Sequence, residues 1–366
     1  MLSLYIHIPF CPTRCHYCSF SVVTDQTLYE RYIEELLKEV EKTCVFLEKN
    51  KRSIHTIYFG GGTPSTLKIR DVERILVRTG SACINEISFE LNPEHVTKEY
   101  LTELKKLGIT RVSLGVQTLS EEGLKKAGRN HSKEQAIQSL ELLQESSLPF
   151  NVDLILGLPN IHASQTLEDL KTILTFNPSH VSLYFLSIES GTPFQNVPQS
   201  QFPMEDETLH VYENIKETLE AEGFGHYEIS NWAKPRFESQ HNLLYWRGQE
   251  YIGVGLGASS FFYQQRWRNI QNMQLYLNAQ DKKLPVSVEQ LSQKDLAETY
   301  LMSASRLQEG VDLEKVKEFL TTKESENLEK NIQNLLAQGL VQIKHNALTI
   351  PEEHRLLQNF ILSKLV

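Results

Sequence analysis

The sequence lacks the features that mark a membrane-spanning or a nucleic-acid-binding protein. Its 366 residues contain no apolar run of about 18 residues, the length that a transmembrane helix needs. Lysine and arginine number 37 against 46 aspartates and glutamates, so the net charge is −9. A field of that sign repels phosphate backbones. We therefore predict no membrane segment of its own and no nucleic acid partner.

Cysteine is also scarce, with five residues in the chain. Cys11, Cys15 and Cys18 fall within one short segment, whereas Cys44 and Cys83 stand apart and are expected to be small core residues. The opening stretch MLSLYIHIPF carries no basic segment and no cleavage site, so we expect a strand there and a cytoplasmic protein. In such a chain, an odd and clustered set of thiols favours metal binding over disulfides.

Short β-rich segments alternate with helical segments along the first half of the chain. The predicted strands lie at 3–10, 54–62, 86–93, 111–117, 150–159 and 180–187. The predicted helices lie at 28–49, 97–108, 132–146 and 164–178. Several strands are apolar at consecutive positions, which is typical of strands buried on both faces. This order predicts an α/β fold, a partial (β/α)6 TIM-like barrel, with its chemistry at the C-terminal ends of the strands.

The composition changes twice along the chain, which predicts three regions. These are a barrel core at 1–190, a loop-rich extension at 191–289 and a C-terminal module at 290–366. The last region contains helices, a β-hairpin and a final helix, the order expected of a helical, winged-helix-like module. Its nine basic and eleven acidic residues favour a structural or partner-docking role over DNA binding.

The clustered cysteines have the spacing C-x3-C-x2-C, which supplies three thiolates from one loop. A structural zinc site needs a fourth ligand, which His7 or His16 would have to provide, and spacing alone leaves this alternative open. A [4Fe–4S] cluster normally takes four thiolates, so three would leave one iron open. That iron could chelate the amine and carboxylate of S-adenosylmethionine (SAM), whose reductive cleavage gives methionine and a 5′-deoxyadenosyl radical.

The stretch YIHIPFCPTRCHYCSF resembles the cluster loop of the radical SAM family that includes oxygen-independent coproporphyrinogen III oxidase and the haem chaperones. The resemblance continues through GGGTP (60–64), ELNPE (90–94), GVQ (115–117), NVDLILGLP (151–159) and GVGLGASS (253–260). It implies a radical SAM barrel with a [4Fe–4S] cluster on Cys11, Cys15 and Cys18. It also implies SAM contacts from Tyr5, Tyr17, Gly61, Gly62, Thr63, Glu90, Gln117, Arg129, Asp153, Ser187 and Ser259.

The chemistry of these residues agrees with such roles. Glycines without Cβ atoms, at 60–62, let the backbone approach a ligand closely. Asp153, expected at a strand end, can accept hydrogen bonds from ribose hydroxyls. Arg129 can pair with a carboxylate through two hydrogen bonds.

Two functions remain open within this family, namely oxidative decarboxylation of coproporphyrinogen III and haem delivery by a chaperone. Position 20 is Phe, where the resemblance to the oxidases would require a further cysteine. The cluster loop begins at residue 11, without the arm expected of the oxidases, and HNLLYW at 241–246 resembles a motif of the chaperones. These features favour the haem chaperone branch.

The HNLLYW segment also predicts a haem site. A neutral imidazole is a good axial ligand for haem iron, so we predict this role for His241. Tyr245 and Trp246 would stack on the porphyrin, and Arg247 would pair with a propionate. The alternative is that His241 is an ordinary polar residue in an aromatic-rich loop. The resemblance implies haem-accepting partners, among them membrane-bound respiratory enzymes, and flavodoxin or ferredoxin as electron donor if SAM is cleaved.

Overall fold

A computed structural model describes residues 1–80, 84–279 and 285–365 of the chain. Cys83 lies outside these ranges. The partly buried Cys44 packs against the main hydrophobic core, as expected. Within these ranges no helix combines the length and the apolar character needed to cross a membrane.

Six strands and the helices between them form the first half of the chain. The strands are β1 (Leu2–Ile8), β2 (Ile54–Gly61), β3 (Glu86–Leu91), β4 (Arg111–Gln117), β5 (Phe150–Leu156) and β6 (His180–Phe185). The helices are α1 (Tyr29–Lys49), α2 (Ile69–Thr79), α3 (Lys98–Lys106), α4 (Glu121–Ala127), α5 (Lys133–Ser146) and α6 (Ser164–Leu174). The six strands pair in parallel in chain order. The predicted α/β architecture is confirmed, although α2 and α4 were not predicted and several strands end earlier than expected.

Local sequence signals set the helix ends that matter for the site. Ser132 begins α5 in a capping box with Gln135, each side chain bonding the other's backbone amide. Gly128 ends α4 with a φ of 69°, which a residue without Cβ adopts at little cost. A Cβ at Gly128 would lie only 3.0 Å from the ring of His16, so this turn also lets the cysteine loop pack against α4.

The region predicted to be loop-rich is more regular than expected. It contains α7 (Glu205–Ala221), β7 (Gly225–Glu228), β8 (Asn231–Ala233), α8 (Gln240–Trp246), β9 (Glu250–Val254), β10 (Ser259–Phe262), β11 (Gln265–Asn269), α9 (Met273–Leu277) and β12 (Pro285–Gln290). Strands β8 and β7 extend the sheet beyond β6, and β9 to β12 extend it beyond β1. The strands were missed because they have only three to six residues, too few to show a clear alternation in sequence. The 17-residue helix α7 was not predicted either.

Helix α8 packs inside the hollow of the sheet. Its first turn contacts the N-terminal ends of two strands, because Thr56 of β2 and Glu86 of β3 both hydrogen-bond to His241. Thr56 shares a face of β2 with Tyr58, which lines the main cavity. Helix α8 therefore lies at the N-terminal ends of these strands, beneath the cavity.

The C-terminal module has its own hydrophobic core. Its elements are α10 (Gln293–Ala304), β13 (Val311–Asp312), α11 (Leu313–Lys317), α12 (Thr322–Ala337), β14 (Gln342–Lys344), β15 (Ala347–Thr349), a 3₁₀ helix (Glu352–Leu357) and α13 (Gln358–Leu365). The three strands form a separate sheet in the order β13-β15-β14. A helical module with a small β-hairpin is what the sequence predicted.

Candidate functional site

A cavity of about 430 Å³ opens at the C-terminal ends of the parallel strands. This is the edge where barrels of this kind carry their chemistry. Most of the predicted site residues line it, namely Cys11, Cys15, Cys18, Tyr17, Gly61, Gly62, Thr63, Glu90, Gln117, Arg129, Asp153 and Ser187. The structure thus brings the predicted cluster loop and most of the predicted SAM contacts into one site.

The three thiols of the loop are free and face this cavity. The Sγ of Cys11 lies 3.3 Å from the hydroxyl of Thr63, and burial raises the pKa of this thiol to about 11. Arg129 donates from Nη1 to the Sγ of Cys15 at 3.7 Å. A cationic group beside the thiols favours their thiolate form, which is the form that binds iron.

The histidines that might complete a zinc site make hydrogen bonds within the protein, His7 through both ring nitrogens and His16 through one. His7 bonds Tyr5 through Nδ1 at 3.1 Å and the carbonyl of Ser21 through Nε2 at 2.9 Å. The Nδ1 of His16 bonds the carbonyl of Lys126 at 2.7 Å. Across the described ranges, no three or more His, Cys, Asp or Glu side chains are grouped as a single metal ion requires. Three thiols without a fourth ligand fit a [4Fe–4S] cluster better, since each thiolate binds a different iron.

The glycine segment after β2 lies directly against the cysteine loop. Gly61 has a φ of 117°, and a Cβ there would come within 2.5 Å of the His7 ring. A Cβ at Gly62 would lie 2.6 Å from the carbonyl oxygen of Pro9 and 3.0 Å from the Sγ of Cys11. These positions therefore require glycine, because a side chain would displace the loop that carries the thiols.

Two half-buried carboxyl groups, those of Glu90 and Asp153, face the cavity. Glu90 accepts hydrogen bonds from the Tyr58 hydroxyl at 2.9 Å and the Gly61 amide at 3.3 Å. Burial raises its pKa to about 8, with a smaller contribution from Asp153. Asp153 accepts from Ser113 at 2.9 Å, and burial also raises its pKa. Asp153 lies in the middle of β5 rather than at the predicted strand end, so it lies deeper in the sheet.

Arg129 has an unpartnered donor at the cavity wall. Its Nη2 donates to Asn92 Oδ1 at 2.8 Å and to the carbonyl of Gly115 at 2.7 Å. Its Nε is buried and has no partner. A buried donor without a partner is unusual in a folded protein, and the carboxylate of a ligand would satisfy it.

Gln117 reaches the cavity through an irregular strand end. It has a φ of 69°, and the pairing of β4 with β5 shifts register between Gly115 and Gln117. A non-glycine residue in this conformation is costly, and such strain is concentrated at functional sites.

Two predicted SAM residues do not line the cavity. Tyr5 lies behind Tyr58, with the ring centroids 6.2 Å apart, and its hydroxyl bonds His7. Ser259 is exposed on β10, while the next residue, Ser260, points inward and bonds the Gly253 amide at 2.9 Å. Strand alternation thus turns Ser259 away from the site, and the SAM contacts of these two residues stay predictions.

His241 lies below the cavity rather than in it. Its side chain is buried, with only 1% of the residue exposed. Nδ1 is 2.8 Å from the Thr56 hydroxyl and Nε2 is 2.9 Å from the Tyr245 hydroxyl. Burial lowers its pKa to about 3, so the ring is neutral. With both nitrogens bonded inside the protein, this geometry does not favour the predicted role as haem ligand.

The other residues of the HNLLYW segment also make internal contacts. The guanidinium of Arg306 lies over the Trp246 ring, 4.3 Å from its centroid. The next residue, Arg247, pairs with Glu309 at 2.7 Å. Trp246 and Arg247 thus contact the C-terminal module, and the haem contacts predicted for them stay predictions.

The cavity also contains residues that sequence reasoning missed. These are chiefly Phe20, Tyr58, Asn92, Glu94, Ser113 and Tyr184. Asn92 and Glu94 belong to the ELNPE motif, so the motif itself was a usable signal. Thr56, Tyr58 and Gly60 lie on one face of β2 because they are two residues apart. This spacing could have identified Tyr58 as a residue of the site.

Comparisons with known proteins agree with this site. Residues 5–173 match the family model of the radical SAM superfamily. The heme chaperone HemW of Lactococcus lactis subsp. lactis (strain IL1403) is 35% identical over 86% of this chain and 83% of that protein. The heme chaperone HemW of Bacillus subtilis (strain 168) is 30% identical over 98% of this chain and 97% of that protein.

A solved structure shares the whole fold. The coproporphyrinogen III oxidase HemN of Escherichia coli, described as a radical SAM enzyme, superposes with a TM-score of 0.85. The match covers 100% of this chain and 89% of that chain at 20% sequence identity. At this identity the likeness establishes the fold alone.

The fold and the cysteine loop define a radical SAM protein. Within that class, the chain belongs to the HemW family, as its similarity to HemW proteins over nearly its whole length shows. The sequence-based assignment to the haem chaperone branch is confirmed.

Proposed function

We propose that this protein is a haem chaperone that binds haem and delivers it to haem proteins. The observation that carries the proposal is its similarity to HemW proteins along almost the entire chain. We place the protein in the cytoplasm. Its haem acceptors would include membrane-bound respiratory enzymes, which it would reach without a membrane helix of its own among the described residues.

The cavity supports a [4Fe–4S] cluster on Cys11, Cys15 and Cys18, with SAM beside it. Such a cluster with SAM supplies one-electron chemistry at the sulfonium, fed by a donor such as flavodoxin or ferredoxin. The residues of the chain hold the ligand in place. The free Nε of Arg129 is suited to the SAM carboxylate, while Glu90 and Asp153 can accept from its amine and ribose hydroxyls.

The second candidate is coproporphyrinogen III oxidase, which the shared fold with HemN favours. Position 20 argues against it. Phe20 lines the cavity with 64% of the residue exposed, where the oxidase pattern would carry another cysteine. A thiol at this point of the loop is absent, so we expect no decarboxylation of coproporphyrinogen III.

One anaerobic preparation of the full chain with its reconstituted cluster tests the proposal. Titration with haem should give a saturable Soret change, and incubation with an apo-haem protein should transfer the haem. Incubation with SAM, reductant and coproporphyrinogen III should leave the substrate unchanged. Absence of haem binding, or formation of protoporphyrinogen, would overturn the proposal.

A further inference from the structure

A row of buried polar side chains lies beneath the Asp153 carboxyl group, toward the N-terminal ends of the strands. Asn151, two residues earlier on β5, shares a face with Asp153, and the parallel register places His180 of β6 beside Asn151. Asn151, His180 and Tyr227 are only 4%, 1% and 9% exposed. All three lie outside the set of residues that lines the cavity.

Two donors hold the Asp153 carboxyl group from within the sheet. The Nδ2 of Asn151 donates to Oδ1 of Asp153 at 2.8 Å, and the Ser113 hydroxyl donates to Oδ2 at 2.9 Å. The same Nδ2 donates to the Ser113 oxygen at 2.7 Å. Each carboxylate oxygen can accept two hydrogen bonds, so both oxygens of Asp153 keep a site for a ligand in the cavity.

The Asn151 amide has one orientation that satisfies these contacts. Its nitrogen must face Asp153, because a carboxylate accepts hydrogen bonds and cannot donate them. Its oxygen then faces the Nδ1 of His180 at 2.6 Å and the Ser182 hydroxyl at 3.2 Å. His180 makes the shorter of the two contacts, so it is the main group that holds the amide oxygen in place.

This orientation also fixes the tautomer of His180. Nδ1 must carry the proton in order to donate to the Asn151 oxygen, and a neutral imidazole has only one N–H group. Burial, with a smaller contribution from Arg111, lowers the pKa of His180 well below its usual value, so the ring is neutral. Nε2 is therefore an acceptor, and the Tyr227 hydroxyl, 2.8 Å away, donates to it.

The hydrogen bonds from Tyr227 through His180 and Asn151 thus all point toward Asp153. Successive hydrogen bonds of this kind strengthen one another and restrict the side chains to one arrangement. Donors to the carboxylate also favour its charged form, which opposes the rise in the pKa of Asp153 that burial causes. A charged carboxylate with a fixed orientation is a good acceptor for the hydroxyls of a ribose.

We propose that His180 is a positioning residue of the SAM site, which acts through Asn151 to orient the Asp153 carboxylate toward the ribose hydroxyls of SAM. This inference rests on the proposed function, since it requires SAM in the cavity with Asp153 as its ribose acceptor. His180 itself makes no contact with SAM, and its effect on the ligand passes through the Asn151 amide.

The test compares two ligands on the full chain with its reconstituted cluster, namely SAM and its 2′,3′-dideoxy analogue, which lacks the ribose hydroxyls. His180→Phe keeps a buried aromatic ring and removes both ring nitrogens. It should weaken SAM binding by about tenfold, the loss expected for a hydrogen bond to a charged group, and leave binding of the analogue unchanged. His180→Gln should restore most of the SAM affinity, because its amide can donate to Asn151 and accept from Tyr227.

His226→Phe is the matched control for the loss of a buried imidazole. Both ring nitrogens of His226 are bonded, to Glu352 at 2.7 Å and to the carbonyl of Ile229 at 3.1 Å. This variant should lower the midpoint of thermal unfolding, as His180→Phe does, without changing SAM affinity. Tyr227→Phe removes only the far donor and should weaken SAM binding by about threefold, again without an effect on the analogue. It decides the question if His180→Phe does not fold.

The outcomes separate this inference from the proposed function. If wild type binds SAM and the His180 and Tyr227 variants weaken both ligands equally, or neither, these residues serve the core alone and the inference is wrong while the proposed function stands. If Asp153→Asn leaves SAM affinity unchanged, the ribose contact and the inference both fail. If wild type binds no SAM, the SAM site and the inference fail together, and haem titration still decides the chaperone function.

Discussion

The size of the side chains that fit at the cluster site is limited, because the backbone of β2 lies close to the cysteine loop. The His7 ring fills the space that a side chain at Gly61 would need. The same ring bonds Ser21, in the segment that follows the cysteines. His7 therefore acts as a spacer between the glycine segment and the loop. A change at either contact should displace the thiols.

Gly61→Ala should impair cluster assembly. Its Cβ would meet His7 at 2.5 Å, in addition to the strain of an alanine at a φ of 117°. We expect lower iron content after reconstitution and at least about a tenfold loss of SAM affinity, equivalent to about 1.4 kcal/mol. Gly80→Ala is the matched control, because Gly80 also has a positive φ but has nothing within 4 Å of the new Cβ. Equal iron content in the two variants would contradict this explanation.

Glu90 makes stability depend on pH. Its folded-state pKa of about 8 exceeds the value of about 4.3 of an unfolded chain, so between these values the folded state binds more protons. Stability from this group is fully present below the lower value and is lost as pH rises toward 8. Glu90→Gln should remove this loss in the ligand-free protein and so raise its midpoint of thermal unfolding over wild type increasingly from about pH 5 to about pH 8. Glu145→Gln, at an exposed carboxyl group, should show no such trend in the same thermal melts.

Helix α8, which carries the predicted haem ligand His241, is also fixed inside the sheet by its first turn. The carboxylate of Glu86 accepts from the backbone amides of Gln240 and His241 at 2.9 and 3.0 Å and from the Ser239 hydroxyl at 3.2 Å. An anion at the first turn satisfies amides that a buried helix end would leave without partners. The helix is thereby fixed inside the sheet, and His241 extends the same network to Thr56 and Tyr245.

His241→Ala should destabilise the protein without removing a haem ligand. The change removes the partner of the Tyr245 hydroxyl and one of two partners of the Thr56 hydroxyl, which keeps its hydrogen bond to Ser3. We therefore expect a loss of about 1–3 kcal/mol in the free energy of denaturant unfolding. Because both ring nitrogens of His241 are bonded inside the protein, haem affinity should stay within about twofold of wild type. His354→Ala, at a partly exposed histidine of the C-terminal module, is the control for the loss of an imidazole. Loss of haem binding by a folded His241→Ala protein would instead support the original axial-ligand hypothesis.

The elements that sequence analysis predicted well are those with long, local patterns. Strands β1 to β6 are apolar runs followed by polar or glycine residues, and the cysteine spacing is visible without any tertiary information. The contact between Thr56 and His241 joins positions 185 residues apart, and no local pattern encodes it. Likewise, Ser259 and Ser260 are neighbours in one motif, and only the pairing of β10 shows which of them faces inward.

At the scale of the whole molecule, buried charges join the barrel to the C-terminal module. Glu228 at the end of β7 is fully buried and pairs with Arg306 at 3.0 Å. His226 of the same strand bonds Glu352 at 2.7 Å, and Glu352 pairs with Arg355 at 3.0 Å. These pairs form the junction between β7 and the C-terminal module.

Arg306→Ala should loosen this junction. The change leaves the Glu228 carboxylate buried without its cation, which typically costs about 3–5 kcal/mol, and it removes the contact with the Trp246 ring. Arg247→Ala is the matched control, since its pair with Glu309 is exposed and such pairs contribute about 0–1 kcal/mol. Denaturant unfolding should show the difference, and partial restoration by Arg306→Lys would identify charge as its cause. Equal losses of stability in Arg306→Ala and Arg247→Ala would contradict this explanation.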